Sequence, residues 1–205
     1  MLAALFARKH TDRTFPPEAC SVGAWRGLSL EQVERQTYWA RAAEIYDLGA
    51  GGRLFQDAAF RVRDITQGNL GNCWLIAAFM CVAERAPGLI QEAFVTPRSL
   101  TGKWKVRLFD RLAEQWVVVT IDDHIPLLKG SHRPLFARSK GADLWVVLLE
   151  KAFAKFCGGY DQLDSGHTAW ALSALTGAPV FRLKRYDFAE GAWRRQEPTL
   201  SLIHI

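Results

Sequence analysis

Apolar residues crowd one stretch of this chain on every face: Cys73-Trp74-Leu75-Ile76-Ala77-Ala78-Phe79-Met80. A helix that is apolar nearly all round is buried. Pro87-Gly88 stops it, so the pattern predicts a central buried helix from Cys73 to about Arg85, with Cys73 at its N-terminal tip. Residues 103–110 alternate, with Trp104, Val106 and Leu108 on one side, and the run from Trp116 to Ile121 is β-rich. These two predict a small β-hairpin across residues 111–115. Another helix starts at Ala142 or Asp143, runs to about Phe156 and stops at Gly158-Gly159. A shorter one spans residues 167–175, before Gly177-Ala178-Pro179. Upstream, Ser29 reads as an N-cap, and Leu30, Val33, Trp39, Ala43 and Tyr46 have rough helical spacing, predicting a helix over residues 28–46. Pro16-Pro17, Gly23 and Gly27 break residues 1–27 into an irregular arm, and Gly49-Ala50-Gly51-Gly52 reads as a flexible link. The expectation is an α+β fold, with residues 1–50 as an arm and helix and residues 51–205 as the main domain.

Composition narrows the class. The 205 residues are 49% hydrophobic and 23% charged, enough for one ordinary globular domain with a real core. The net charge of +5 is spread along the chain, densest at Lys184-Arg185 and Arg194-Arg195. That balance reads as a solvated face, and no nucleic-acid partner is expected. Cys20, Cys73, Cys81 and Cys157 form no Cys-x-x-Cys pair, so a zinc site is not expected. So few cysteines in a chain of this size point to a reducing, cytoplasmic setting. The apolar start, Leu2 to Phe6, is too short for a signal-peptide core, and its charges, Arg8 and Lys9, lie on the wrong side. No stretch approaches a membrane span.

The segment Thr66-Gln67-Gly68-Asn69-Leu70-Gly71-Asn72-Cys73-Trp74-Leu75 carries the chemistry. Gly68 and Gly71 let the backbone turn tightly and approach a substrate. Asn72 reads as the N-cap of the Cys73 helix. A thiol at a helix N-terminus feels the positive end of the dipole, which favours the thiolate. The Gln67 side-chain amide and the Cys73 backbone N–H have the layout of an oxyanion hole. Against this stands the ordinary reading of Cys before an apolar run, a buried core thiol.

Gln-Gly-x-x-Gly-x-Cys-Trp resembles the local signature of papain-like cysteine proteases. The flanks, from Arg63-Asp64-Ile65 to Ile76-Ala77-Ala78, are similar to the calpain active-site segment. Trp116 to Pro126, with Asp122-Asp123, resembles the calpain strand ending in Asp-Asp, and Pro134-Leu135-Phe136-Ala137-Arg138-Ser139 the strand after it. Leu144 to Lys155, with Leu148-Leu149-Glu150-Lys151-Ala152-Phe153, is similar to the next calpain helix, and Gly158-Gly159-Tyr160 continues it. Gly52 to Phe60 resembles the opening of the calpain protease core. The likeness covers roughly residues 51–180 and implies the first subdomain of a papain-like protease core.

That resemblance implies an intracellular, calcium-dependent cysteine endopeptidase acting on protein substrates, with Cys73 as nucleophile and Gln67 as oxyanion donor. Trp74 would anchor the helix start. The family's His and Asn lie on a second subdomain; by spacing they would fall beyond Ile205, making that subdomain the missing partner. Of His10, His124, His132, His167 and His204, none has the matching context, and His167 reads as a polar loop residue. The closing residues 199–205 match no part of the family, which suggests truncation. The resemblance also implies a Ca2+ site on Asp64 and Asp143, with backbone carbonyls near Asp57 and Ala59; the other reading makes Asp64 a turn residue and Asp143 a helix N-cap. Asn72 departs from the family's Asp. Asp122 and Asp123, adjacent on a strand, face opposite ways and form no acid/base pair. Two rivals to the protease stay open: a catalytically silent interaction or regulatory module of the same fold, and a transglutaminase-like acyl-transfer enzyme. Cys81 and Cys157, inside predicted buried helices, are expected to be unreactive.

Overall fold

The computed structural model describes residues 8–46, 54–55, 65–131, 133–139 and 143–179, and the backbone of four short strands beyond them. Its centre is formed by two helices. One is α4 (Cys73–Arg85), at the expected bounds. The other is α6 (Trp145–Cys157), buried from Trp145 through Ala154 and closed by Gly158 in the left-handed region at φ 101°. A positive φ there favours Gly, which carries no Cβ to clash. Phe79 of α4 meets Phe153 and Trp145 of α6 at ring-centroid distances of 5.6 and 6.4 Å. Such aromatic pairs bury large apolar area in offset geometry. α5 (Pro87–Ala93) turns back against α4, and α7 (Thr168–Thr176) packs along it and ends at left-handed Gly177.

The expected hairpin is present. β3 (Lys103–Asp110) pairs antiparallel with β4 (Gln115–Asp122), with Trp104 opposite Ile121 and Val106 opposite Val119 on the buried side. The Asp110 carboxylate accepts from the N–H groups of Leu112 and Ala113 and fixes the turn. The sheets are small, two-stranded and antiparallel, in an α+β arrangement.

The helix expected over residues 28–46 is interrupted. Ser29 does cap α2 (Leu30–Gln36): its hydroxyl accepts from Gln32 N–H while the Gln32 side chain accepts from Ser29 N–H. The chain then extends as β1 (Thr37–Arg41) before a single turn, α3 (Ala42–Ile45). β1 pairs antiparallel with β5 (His124–Leu128), a strand that follows β4 after a one-residue break at Asp123. Thr37, Tyr38 and Trp39 are β-branched or aromatic, types that favour strands, and the distant partner strand decides between the two periodicities.

The first residues are irregular, with one short turn, α1 (Ala19–Val22), yet they are packed onto the core. Phe15, Val22 and Trp25 are buried. His10 N–H donates to Thr101 O, and Tyr160 N–H donates to Ser21 O. Charged residues tie the arm further. Lys155 Nζ donates to Asp12 Oδ2 at 2.6 Å, and Asp12 N–H donates to Asp122 Oδ2 at 2.8 Å. Asp122 also receives Lys151 Nζ at 2.6 Å and lies 3.0 Å from His124 Nδ1, whereas Asp123 pairs with Arg41. The adjacent carboxylates thus face different partners, as strand alternation requires. Burial alone would raise the Asp122 carboxyl, but hydrogen bonds from His124, Lys151 and the Asp12 N–H, with the charge of Lys151, hold it well below the carboxylate range.

β2 (Ile65–Thr66) pairs with β6 (Arg138–Ser139), which brings the segment upstream of Gln67 beside the segment upstream of Asp143. The remaining strands, β7 (Phe181–Arg182), β8 (Tyr186–Ala189), β9 (Ala192–Arg195) and β10 (Ser201–Leu202), pair as β7 with β10 and β8 with β9. The link at residues 49–52, the stretch 56–64 with Asp57, Ala59 and Asp64, and His132 and His204 lie outside the described residues. Among the described residues no single helix is long and apolar enough to cross a membrane.

Candidate active site

Residues 67–72 form a short loop held at several backbone groups by hydrogen bonds. Asn69 N–H donates to Leu135 O at 3.0 Å, and Trp25 Nε1–H donates to Asn69 O at 2.6 Å. Gly71 N–H donates to the Asp164 carboxylate at 2.8 Å, and Gly71 O accepts from Ser165 N–H at 3.1 Å. Gly68 lies so close to the Phe136 backbone that a Cβ would collide with it. Glycine was expected here for approach to a substrate; the close approach that the structure shows is to the chain's own backbone at Phe136. Gln67 is exposed, and its Nε2 donates to Leu70 O at 2.7 Å. A carboxamide nitrogen carries two hydrogens, so one remains for a ligand.

Cys73 sits at the first position of α4 and is exposed, unlike the core thiol of the ordinary reading. Its Sγ makes no hydrogen bond among the described residues. Trp74, the next residue, is buried, and its indole N–H donates to Leu163 O at 3.0 Å while its ring packs on Trp170 at 5.2 Å. The anchoring role expected of Trp74 thus has a structural basis: it holds the helix start against the segment that begins α7.

Asn72 corrects one expectation. It occupies the N-cap position, and its carbonyl accepts from Leu75 and Ile76 N–H, but its side chain does not cap the helix. The side chain is fully buried and turns inward, where Nδ2 donates to Glu150 Oε1 at 2.6 Å. Glu150 also accepts from Ala137 N–H at 3.0 Å. Burial without a cation in contact pushes its carboxyl up to about 8, against the lowering by these hydrogen bonds. Sequence reading passed over Glu150. A carboxylate directly after Val146-Val147-Leu148-Leu149, followed by more apolar residues on the same helix, is the signal that marks it.

Cys81 is the second correction. It is exposed, because Cys73, Ala77 and Cys81 recur every four residues and make one open stripe along α4. Cys157 is half-buried, and burial pushes its thiol up to about 11. Of the histidines, His124 belongs to the Asp122–Lys151 network, His10 lies against Thr101, and His167 is exposed at the N-cap of α7. None bonds Cys73. Asp143 does not cap α6, whose N-cap is Leu144; its carbonyl accepts from Ser139 Oγ at 3.0 Å. Among the described residues no three His, Cys, Asp or Glu side chains form a metal-holding group. Asp64, the other expected ligand, is outside those residues. A cleft of about 460 Å³ opens beside the loop, lined by Trp25, Arg26, Gly68, Asn69, Gly71 and Asp164 among others.

Comparison with known proteins agrees with this layout. The calpain family cysteine protease pattern matches residues 10–202, beyond the 51–180 expected on both sides. The chain is 37% identical over 175 residues to calpain-5 of Caenorhabditis elegans, covering 81% of this chain and 25% of that protein. It is 34% identical over 175 residues to the calpain-type cysteine protease ADL1 of Oryza sativa subsp. japonica, covering 83% and 8%. It is 31% identical over 196 residues to calpain-10 of Mus musculus, covering 92% and 28%. The chain therefore spans well under a third of the length of these relatives. With the loop, the exposed thiol at the tip of a central helix and the matched length together, the chain belongs to the calpain family of cysteine proteases.

Proposed function

We propose that this chain carries the nucleophile of a calcium-dependent cysteine endopeptidase that cuts protein substrates in the cytoplasm. The observation that carries the reading is an exposed Cys73 at the tip of a helix whose other faces are core, behind a loop clamped by hydrogen bonds. The Cys73 thiolate attacks a peptide carbonyl, forming the C–S bond. The Cys73 N–H and the free Nε2–H of Gln67 hold the oxyanion. Expulsion of the amine needs a proton, and general acid–base help is typically worth 10²–10⁴-fold. That proton comes from a His outside the described residues, oriented by an Asn, on a second subdomain. The open stripe of Cys73, Ala77 and Cys81 is the face such a subdomain would cover.

Calcium fits the same reading. Ile65, next to Asp64 in sequence, pairs with Ser139, whose hydroxyl reaches the Asp143 carbonyl. Oxygen ligands from both segments suit Ca2+. A bound ion would supply positive charge that ties the loop start to the start of α6.

The second reading, a catalytically silent calpain-fold module, draws support from the absence of a His beside Cys73 among the described residues. Alkylation by iodoacetamide in the native state, with peptide mapping, separates the two. A nucleophile reacts faster at Cys73 than at Cys81 and Cys20, which are also exposed. Equal rates at all three would remove Cys73 from the mechanism.

A further inference from the structure

Glu150 takes no part in the chemistry above, although it touches the residue before the nucleophile. It is 1% exposed, and its two oxygens receive three N–H contacts: Asn72 Nδ2 at 2.6 Å, and Ala137 N at 3.0 and 3.2 Å. No cation pairs with it among the described residues. Lys151, its neighbour on α6, turns instead to Asp122 and the His124 carbonyl. The other titratable or charged groups around it are the hydroxyls of Tyr46 on the flank of α3 and Tyr160 after α6, whose ionisation Glu150 opposes, and Arg138 on β6, which acts on Tyr46. The Asp122–His124–Lys151 network of β4, β5 and α6 completes the surroundings.

A second observation concerns the other end of the Asn72 amide. Asn72 Oδ1 is buried and has no hydrogen-bond partner among the described residues. Buried polar atoms without partners are rare and costly. Here the amide is tied at one end and unpartnered at the other, one residue before Cys73.

We propose that Glu150 is a positioning residue for Cys73, acting through the Asn72 side chain and exchanging a proton with solvent as it does so. The inference rests on the reading of Cys73 as the nucleophile. An ionised Glu150 has acceptors for all the N–H donors that face it, so it holds Asn72 and the strand at Ala137 together against the start of α4. A proton on Glu150 turns one acceptor oxygen into a donor. The Nδ2–H bond then weakens, and a half-turn of the amide presents Oδ1, the unpartnered atom, to the new O–H. The residue before Cys73 therefore has two settings, chosen by one buried proton. Because burial places that proton near pH 8, both settings are populated close to neutral pH.

The test uses the 205-residue chain, alkylated with iodoacetamide from about pH 6 to about pH 10. Peptide mapping reads Cys73 and Cys81 in the same sample. The two lie on one face of α4, so Cys81 is the reference for opening of that face, and a thiolate favoured at the helix N-terminus would by itself make the ratio fall, not rise, with pH. In the wild type the Cys73-to-Cys81 ratio should rise about fivefold through pH 8, the factor expected from one buried hydrogen bond. In Glu150→Gln and Asn72→Ala the step should vanish, while the Cys20-to-Cys81 ratio stays unchanged in all three. A folded Glu150→Gln protein that keeps the wild-type step overturns the proposal. So does a step shared by Cys20, which marks general loosening. If Glu150→Gln does not fold, Asn72→Ala decides, and a retained step there overturns the proposal too. A Cys73 that reacts no faster than Cys81 at any pH defeats the nucleophile reading separately, whether or not the step is present.

Discussion

Two buried carboxyls only a short way apart titrate in opposite directions, and the difference lies in their neighbours. Glu150 keeps its proton up to about pH 8 when folded and loses it at ordinary acid values when unfolded, where its reference is 4.5. The unfolded chain then binds fewer protons, so the contribution of Glu150 is present below about pH 4 to 5 and is lost as pH rises toward 8. Asp122, held low by His124 and Lys151, behaves the other way. Its contribution is present above its reference value of 3.8 and is lost as pH falls through the folded value. Urea unfolding should therefore show stability declining from about pH 5 to about pH 8, and Glu150→Gln should flatten that limb while leaving the acid limb in place. An unchanged slope in the variant would contradict the assignment. Asp122→Asn removes the partner of Lys151, a lysine with a side chain 1% exposed. Breaking such a pair typically costs about 3–5 kcal/mol because a charge is left buried, and thermal unfolding would read the loss.

At the scale of elements, the arm and the helices after it are held by short local signals and by long-range pairing. The reciprocal Ser29–Gln32 bonds make α2 start where it does. Ser29→Ala should cost about 1 kcal/mol, the usual loss on removing such a cap, with the circular-dichroism spectrum preserved. A loss near zero would mean that β1–β5 pairing alone holds the segment. α4 shows the converse. Its composition is apolar all round, but one stripe of it has no cover among the described residues. That stripe exposes Cys81 as well as Cys73, so exposure does not distinguish the two, and only reactivity does. Cys157, raised by burial, should be alkylated slowest of the four. Faster labelling there than at Cys81 would show that α6 opens readily.

For the molecule as a whole, the proposed nucleophile has no acid–base partner beside it among the described residues. The purified 205-residue chain should show negligible peptidase activity, because the proposed mechanism takes its general base and general acid from a second subdomain. Calcium-dependent casein cleavage abolished by Cys73→Ala would show that a His of this chain completes the site. On the proposed calcium site, calcium should raise the melting temperature by mass action, because an ion held jointly by Asp64 and Asp143 would bind the folded state alone. Asp64→Ala should remove the shift and Asp143→Ala should weaken it strongly. Equal melts of the wild type and both variants, in millimolar calcium and in chelator, would remove Asp64 and Asp143 as calcium ligands.

Local composition was enough to indicate α4, the β3–β4 hairpin, α6 and α7, because each has a hydrophobic pattern of one period, although α6 begins at Trp145 and not at Ala142 or Asp143. The same holds for Cys73, Trp74 and the glycine loop, whose residue types sit within ten positions of each other and whose match to calpains runs through the chain. What no local pattern contains is pairing over distance. Residues 37–41 have helical spacing, yet they extend because β5, some 85 residues later, offers them hydrogen bonds and a buried face. Asn72 looks like a cap in one dimension; in three, Glu150 is 78 residues away along the chain and 2.6 Å away in space, and it takes the side chain inward. The exposure of Cys81 was likewise decided by which faces of α4 found partners, since an apolar sequence records the capacity to be buried and only packing determines where burial occurs.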